Sequence, residues 1–156
     1  MKTMAKIFED EFMEAQADMV SICLEYVEDD AEKIYIYASC ENRATACNWF
    51  FKIDGKLWKK HLPNQISGKG YDVSIDIQRQ CSQIILDDID KIKCICEKYN
   101  QPMPTQFKLV YDVSKNSLDT HYEYEDQYSY DIYRDTVDIA EEWFEQVKAQ
   151  EEGGAQ

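Results

Sequence analysis

Residues 122 to 135, YEYEDQYSYDIYRD, hold five tyrosines, five carboxylates and a single arginine. Tyrosine supplies a large, rigid contact area with a polar tip, and carboxylates steer and pair with lysine and arginine. Neither a core nor an ordinary solvated face needs both, whereas a surface that receives a basic partner does. Glu123, Glu125, Asp126 and Asp131 are expected to supply the charge there, with Tyr128 and Tyr130 as anchors. Tyr122 and Tyr124 are expected to point into the core at the end of a strand, and Tyr133 to pack beneath the last helix, which leaves Tyr128 and Tyr130 as the free rings.

Other chemistry is thinly represented. The sequence contains no phosphate-cradling glycine loop, no nucleophile elbow and no H-E-x-x-H pair. His61 and His121 both fall in strand-like stretches, where a half-exposed residue is the simpler reading than a catalytic base. Paired carboxylates are so numerous that none stands out as an acid–base dyad. Asp87, Asp88 and Asp90 lack the glycine and closing glutamate of a calcium loop and read as a solvated helix face. Six cysteines (Cys23, Cys40, Cys47, Cys81, Cys94, Cys96) fall mostly at apolar positions of amphipathic elements, as reduced core thiols do. Cys94 and Cys96 form C-x-C, too short for the usual zinc pair. No metal and no cofactor is expected.

The net charge is −14, unevenly spread. Residues 1–30 carry −7, residues 31–116 carry +3 and residues 117–156 carry −10. A field of this sign repels nucleic acid and anionic membrane and attracts a basic partner. Lys52, Lys56, Lys59, Lys60, His61 and Lys69 form a basic minority around the first hairpin, too weak against the overall field to suggest a nucleic-acid site. The chain has no apolar run long enough to cross a membrane, and its first residues lack the pattern of a secretory signal, so a cytoplasmic location is expected.

The elements that must position these residues follow from periodicity. Phe8, Phe12, Ala15, Met19, Ile22 and Tyr26 recur every three or four residues and predict a helix with an acidic outer face. Alternation predicts strands over 33–40, 45–53 and 56–62, the last two joined by Asp54-Gly55, the strongest short hairpin signal. Either Asp72 or Ser74 caps a second helix that runs towards Asn100, Pro102 and Pro104. Residues 107–113 and 117–124 form a second hairpin, and Ile132 to Val147 a third helix. The expected fold is α+β in the order helix, three strands, helix, two strands, helix, with about five antiparallel strands and the helices packed on one side of the sheet. Residues 1–150 make one domain and 151–156 a flexible tail.

Three stretches, EKIYIYASCENRATACNWFFKIDGK, QPMPTQFKLVYD and HYEYEDQYSYD, together with the acidic first helix, resemble the YezG-like immunity proteins of bacterial polymorphic toxin systems. The likeness covers most of residues 7–135 as a loose pattern. It implies a non-enzymatic cytoplasmic antitoxin that binds the C-terminal domain of a secreted toxin, often a nuclease, and blocks it. A basic nuclease is the partner that the charge also suggests. Two other readings stay open on the residues: a small acidic enzyme with a site between the hairpins, and an adaptor that self-associates through Trp143 and Phe144. The oligomeric state is left undetermined.

Overall fold

The computed structural model describes residues 3–131 and 133–153. Three α-helices, α1 (Met4–Tyr26), α2 (Ile75–Lys98) and α3 (Thr136–Gly153), surround five strands, β1 (Lys33–Glu41), β2 (Ala44–Ile53), β3 (Lys56–Lys59), β4 (Gln106–Asp112) and β5 (Ser117–Glu123). The strands form one antiparallel sheet in the order β3-β2-β1-β4-β5. The α+β class and the order of elements are those expected.

Local chemistry sets the boundaries. Ser74 caps α2 by accepting the Ile77 N–H at 3.3 Å, and Thr3 caps α1 by accepting from Lys6 at 3.2 Å. The β1–β2 and β2–β3 turns each place two residues at positive φ, Asn42 and Arg43 in one and Asp54 and Gly55 in the other, as tight primed turns require. β3 ends at Lys59 rather than residue 62, because Lys60 and His61 turn the chain into a short 3-10 segment, Pro63–Gln65. Pro63, without an N–H, cannot continue the ladder.

The sheet is covered on both faces. Ile34, Ile36 and Ala38 of β1, Trp49, Phe51 and Ile53 of β2, and Phe107 and Leu109 of β4 are buried in one core with α1 and α2. These two helices run antiparallel, so that Phe8 near the start of α1 meets Tyr99 at the end of α2, and Lys98 reaches Glu11 at 3.3 Å. Tyr35 and Tyr37 of β1 and Phe50 of β2, on the opposite face, make a second core with Leu57 of β3 and with Ile139, Ala140, Trp143, Phe144 and Val147 of α3. Phe50 is its centre, stacked on Tyr35 at 4.8 Å and meeting the Trp143 and Phe144 rings edge-on at 5.1 Å each. The expectation of helices on one side therefore holds for α1 and α2 only. α3 lies on the opposite face because β1 and β2 are apolar on both sides and each side must be buried.

Ion pairs fasten α3 in place. Glu151 bridges Lys33 at 3.1 Å and Lys52 at 2.9 Å, Lys59 reaches Glu141 at 2.6 Å, and Glu152 accepts the Leu57 N–H at 2.9 Å. The expected tail from residue 151 is thus revised. Residues 151–153 complete α3, and residues 154–156 lie outside the described residues. Ile132, expected to open the last helix, also lies outside them, and α3 starts at Thr136 behind a reciprocal Asp135–Asp138 cap with both bonds at 3.0 Å.

Candidate partner-binding surface

The tyrosine-rich stretch becomes the loop that carries the chain from β5 round to α3, on the other face of the sheet. Two anchors set its shape. Thr105, just before β4, places its hydroxyl 2.6 Å from the Glu125 carbonyl and its N–H 2.8 Å from that of Glu123. Glu41, the last residue of β1 and only 2% exposed, turns its carboxylate towards three consecutive backbone N–H groups. Gln127 donates to Oε2 at 2.9 Å, and Tyr128 and Ser129 donate to Oε1 at 3.2 and 2.7 Å. Burial by itself would raise the Glu41 pKa, but these N–H donors and the Ser129 side chain overcome it, and the group stays below the ordinary glutamate value. Charge-assisted bonds to a run of amides are among the stronger ways to fix a loop.

Beyond the clamp the loop is a series of turns. Asp131 donates its N–H to the Tyr128 carbonyl at 2.9 Å and accepts the Tyr133 N–H on its own side chain at 2.9 Å. Arg134 then grips Glu142 of α3 with two parallel bonds of 2.8 Å. The arginine of this stretch is therefore engaged with Glu142 and is also close enough to Asp131 to offset part of its charge.

The residues expected to meet a partner divide into two groups. Glu125 and Asp126 are exposed, and the Tyr130 ring is 73% exposed, as an anchor must be. Glu123 is half-buried beside His121, whose Nε2 lies 2.8 Å from its Oε1. Asp131 is half-buried and occupied in the turn. Tyr128 is not a free anchor: it is half-buried against the second core, because the Glu41 clamp draws its backbone inward. Tyr122 points into the first core as expected, edge-on to Phe12 and Phe107 at 5.6 Å each, and its hydroxyl receives Gln16 Nε2 at 2.7 Å. Tyr124 and Tyr133 depart from expectation, being 54% and 88% exposed. Tyr124 has passed the end of β5, and α3 begins too late to cover Tyr133. The rings available to a partner are Tyr124, Tyr130 and Tyr133.

Two depressions mark the α1 side of the molecule, of which only the first adjoins this surface. A shallow apolar cleft of about 220 Å³ lies between the start of α1 and the end of β5, lined by Phe8, Phe12, Met13, Pro102, Tyr122 and Tyr124. A larger groove of about 780 Å³ runs along the α1–α2 seam, where Glu11, Glu14, Asp18, Asp87, Asp88 and Asp90 stand among Ala15, Ala17, Ser21, Lys91, Cys94 and Ile95. Asp88 is at its floor, 1% exposed, which corrects the view of Asp87, Asp88 and Asp90 as a wholly solvated face.

The basic minority serves the fold. Lys52, Lys59 and Lys69 pair with Glu151, Glu141 and Asp30, and Lys60 bonds the Asn48 side chain at 2.9 Å while lying over the Trp49 ring. His61 is exposed in its turn, and the His121 side chain is 67% exposed on β5. His61 borders a depression of about 250 Å³ with Trp49, Phe50, Phe144 and Glu141, but the Glu141 carboxylate is exposed and paired with Lys59, so it is not the buried partner an acid–base site needs. Trp143 and Phe144, the rings of a self-associating adaptor, are buried against the chain's own sheet. All six cysteines are free thiols; Cys23, Cys40, Cys81 and Cys96 are buried, Cys47 is half-buried and Cys94 is exposed. Among the described residues no three His, Cys, Asp or Glu side chains converge on a position that could hold a metal ion, and no helix is long and apolar enough to cross a membrane.

Glu41 could not be found from the sequence, since nothing in a Glu-Asn-Arg turn announces three backbone donors arriving from residues 127–129. Asp88 left a trace. It falls between Ile85, Ile89 and Ile92 on the buried stripe of α2, a place where a carboxylate is out of pattern. No protein-family model matches the chain, and no curated protein matches it either.

Proposed function

We propose that the protein is a non-enzymatic immunity protein, of the YezG-like kind that its sequence resembles, which binds a secreted toxin domain in the cytoplasm and neutralises it. The toxin is a basic nuclease, whose phosphate-holding face an acidic surface can cover in place of the substrate. The observation that carries this reading is the Glu41 clamp. It holds backbone amides 127–129 in one arrangement while Glu125, Asp126 and Tyr130 stay exposed beside them. A loop ordered before it meets its partner loses less freedom on binding, so more of the contact energy appears as affinity. The charge of −14 adds long-range attraction and faster encounter.

Co-expression with the toxin domain encoded beside it tests this reading. A complex that survives size-exclusion chromatography, with protection of the host cell from the toxin, is the expected result. Free elution of both proteins together with unprotected cells refutes it. The readings as an acidic enzyme and as a self-associating adaptor find less support, because the histidines are at the surface and Trp143 and Phe144 are covered.

A further inference from the structure

We infer that β5, the strand at one edge of the sheet, pairs antiparallel with β5 of a second copy of this chain about a two-fold axis through Thr120, joining two sheets into one. The inference does not depend on the toxin, and the surface it uses is distinct from Trp143 and Phe144.

The two edges of the sheet are finished differently. β3 has four residues, two of them lysine, and Glu152 of α3 takes the Leu57 N–H at 2.9 Å, so that edge is short, charged and partly covered. β5 has seven residues, SLDTHYE, with no lysine, proline or glycine among them, and the sheet ends there, with β4 as its one neighbour. Ser117, Asp119, Thr120 and His121 are exposed on it. An edge of that length is a template for another strand.

Which backbone atoms face outwards follows from the ladder. Cys40 donates to the Thr105 carbonyl at 2.9 Å and Val113 to that of Glu32 at 3.0 Å. The odd-numbered residues of β4 therefore turn their backbone towards β1, and the even-numbered ones, Lys108 and Val110 among them, towards β5. Opposite these two stand His121 and Asp119. The groups left pointing out of the sheet are those of Leu118, Thr120 and Tyr122. An axis at Thr120 sets Thr120 against itself and Leu118 against the partner's Tyr122, all outward-facing residues, and these facing pairs can exchange about six bonds.

The side chains agree with that axis. Leu118 and Tyr122, both packed against the first core, meet on one face, so the apolar layer continues across the junction. On the other face Asp119 meets the partner's His121 and Ser117 meets the partner's Glu123, in the kind of facing pair whose side chains approach more closely. Moving the axis by one residue, to Asp119 or to His121, sets Asp119 against itself or against Glu123, with like charges opposed. Among axes through β5, the one at Thr120 uses the whole strand and opposes no like charges.

A seven-residue edge buries less than the roughly 1,200 Å² of a lasting interface, so the dimer is weak and reversible. The charge of −14 on each copy opposes it at low ionic strength, so salt tightens the dimer, the opposite of its effect on a complex with a basic toxin. That difference in sign separates failure of this inference from failure of the proposed function. The test is sedimentation equilibrium of the full-length protein from about 10 µM to about 1 mM, the range of a weak contact, in low and in high salt, with amide exchange on ¹⁵N-labelled protein over the same range. Expected are a monomer–dimer equilibrium that strengthens with salt, and slower exchange at Leu118, Thr120 and Tyr122 as concentration rises, the amides of Asp119 and His121 being protected already in the monomer. Thr120→Pro keeps the β4 ladder, because that N–H points outwards, and loses the dimer. His121→Asp, at an exposed position, weakens the dimer about tenfold by opposing Asp119 at both symmetric places, and adding Asp119→Lys restores it. A monomer throughout the range in high salt overturns the inference. So does a dimer that leaves exchange at Leu118, Thr120 and Tyr122 unchanged, or one indifferent to both Thr120→Pro and His121→Asp. Protection of these amides by the toxin domain in a chain that stays monomeric assigns the edge to that partner and overturns the self-pairing as well.

Discussion

Replacing Glu41 by Gln removes a charge and little volume, and so isolates what the buried carboxylate does for the loop. An amide has one acceptor oxygen. If that oxygen keeps Tyr128 and Ser129, the NH₂ group confronts the Gln127 N–H, donor against donor. The loss is one charge-assisted bond, about 1.5–3 kcal/mol, and one stranded buried donor, about 1–3 kcal/mol; the two overlap, and about 3 kcal/mol is a reasonable total. That corresponds to roughly a hundredfold rise in the population of the opened loop. It lowers Tm by about 6–12 °C if the loop opens only with the whole domain, and by less if it opens alone. Amide exchange at Gln127, Tyr128 and Ser129 reads the effect directly, with the amides of β1 and β4 as internal references. Because the Glu41 pKa is lowered in the folded state, its stabilisation is complete above the ordinary glutamate value and fades as pH falls through the depressed one. The gap between wild type and variant should therefore close in acid. Exchange at 127–129 within threefold of wild type at neutral pH would show that the clamp does not hold the loop.

The other expectations can be checked with standard measurements. Charge reversal at Glu125 and Asp126 to Lys should weaken binding of the cognate toxin by about tenfold or more at low salt and flatten its salt dependence, with thermal unfolding moved by about 0.5 kcal/mol or less. Tyr130→Ala should weaken the complex by more than Tyr128→Ala once each is corrected for stability, since only Tyr128 is engaged in the core; the reverse order in calorimetric titrations would contradict the placement of the rings. Phe50→Ala removes the ring on which α3 rests and should cost about 3–5 kcal/mol in denaturant unfolding. Asp88 holds its proton more tightly folded than unfolded, so its contribution to stability is present at low pH and is lost as pH rises through about 7. Asp88→Asn should consequently gain on wild type between pH 5 and pH 8, by at most about 3 kcal/mol, the worth of the two units between pH 5 and a folded value near 7, and parallel chemical melts at the two pH values decide it.

What the sequence revealed of this fold depended on how a residue announces its surroundings. Periodicity and turn chemistry are local, so α1, α2, both hairpins and the Asp54-Gly55 turn were legible. The second layer was not, although KIYIYASC offered the clue: Tyr35 and Tyr37 alternate with Ile34 and Ile36, and a strand apolar on both sides is a central strand covered on both sides. The surface was read less well than the fold, because exposure of a ring in a loop depends on what the backbone is tied to. Tyr128 is drawn in by Glu41, and Tyr133 is left out because α3 starts three residues later. Contacts spanning more than eighty residues, such as that of Glu41 with Ser129 at 2.7 Å, leave no mark on either segment alone.

The double covering of the sheet also orders events during synthesis. Tyr35, Tyr37 and Phe50 are made early, but the helix that shelters them is separated from Phe50 by some ninety residues and follows every strand. At about 5–20 residues per second, several seconds pass in which a sheet already sealed by α1 and α2 still displays an aromatic face. During that interval the nascent chain is a natural client for a chaperone, and slow translation of residues 100–135 would lengthen its exposure to aggregation.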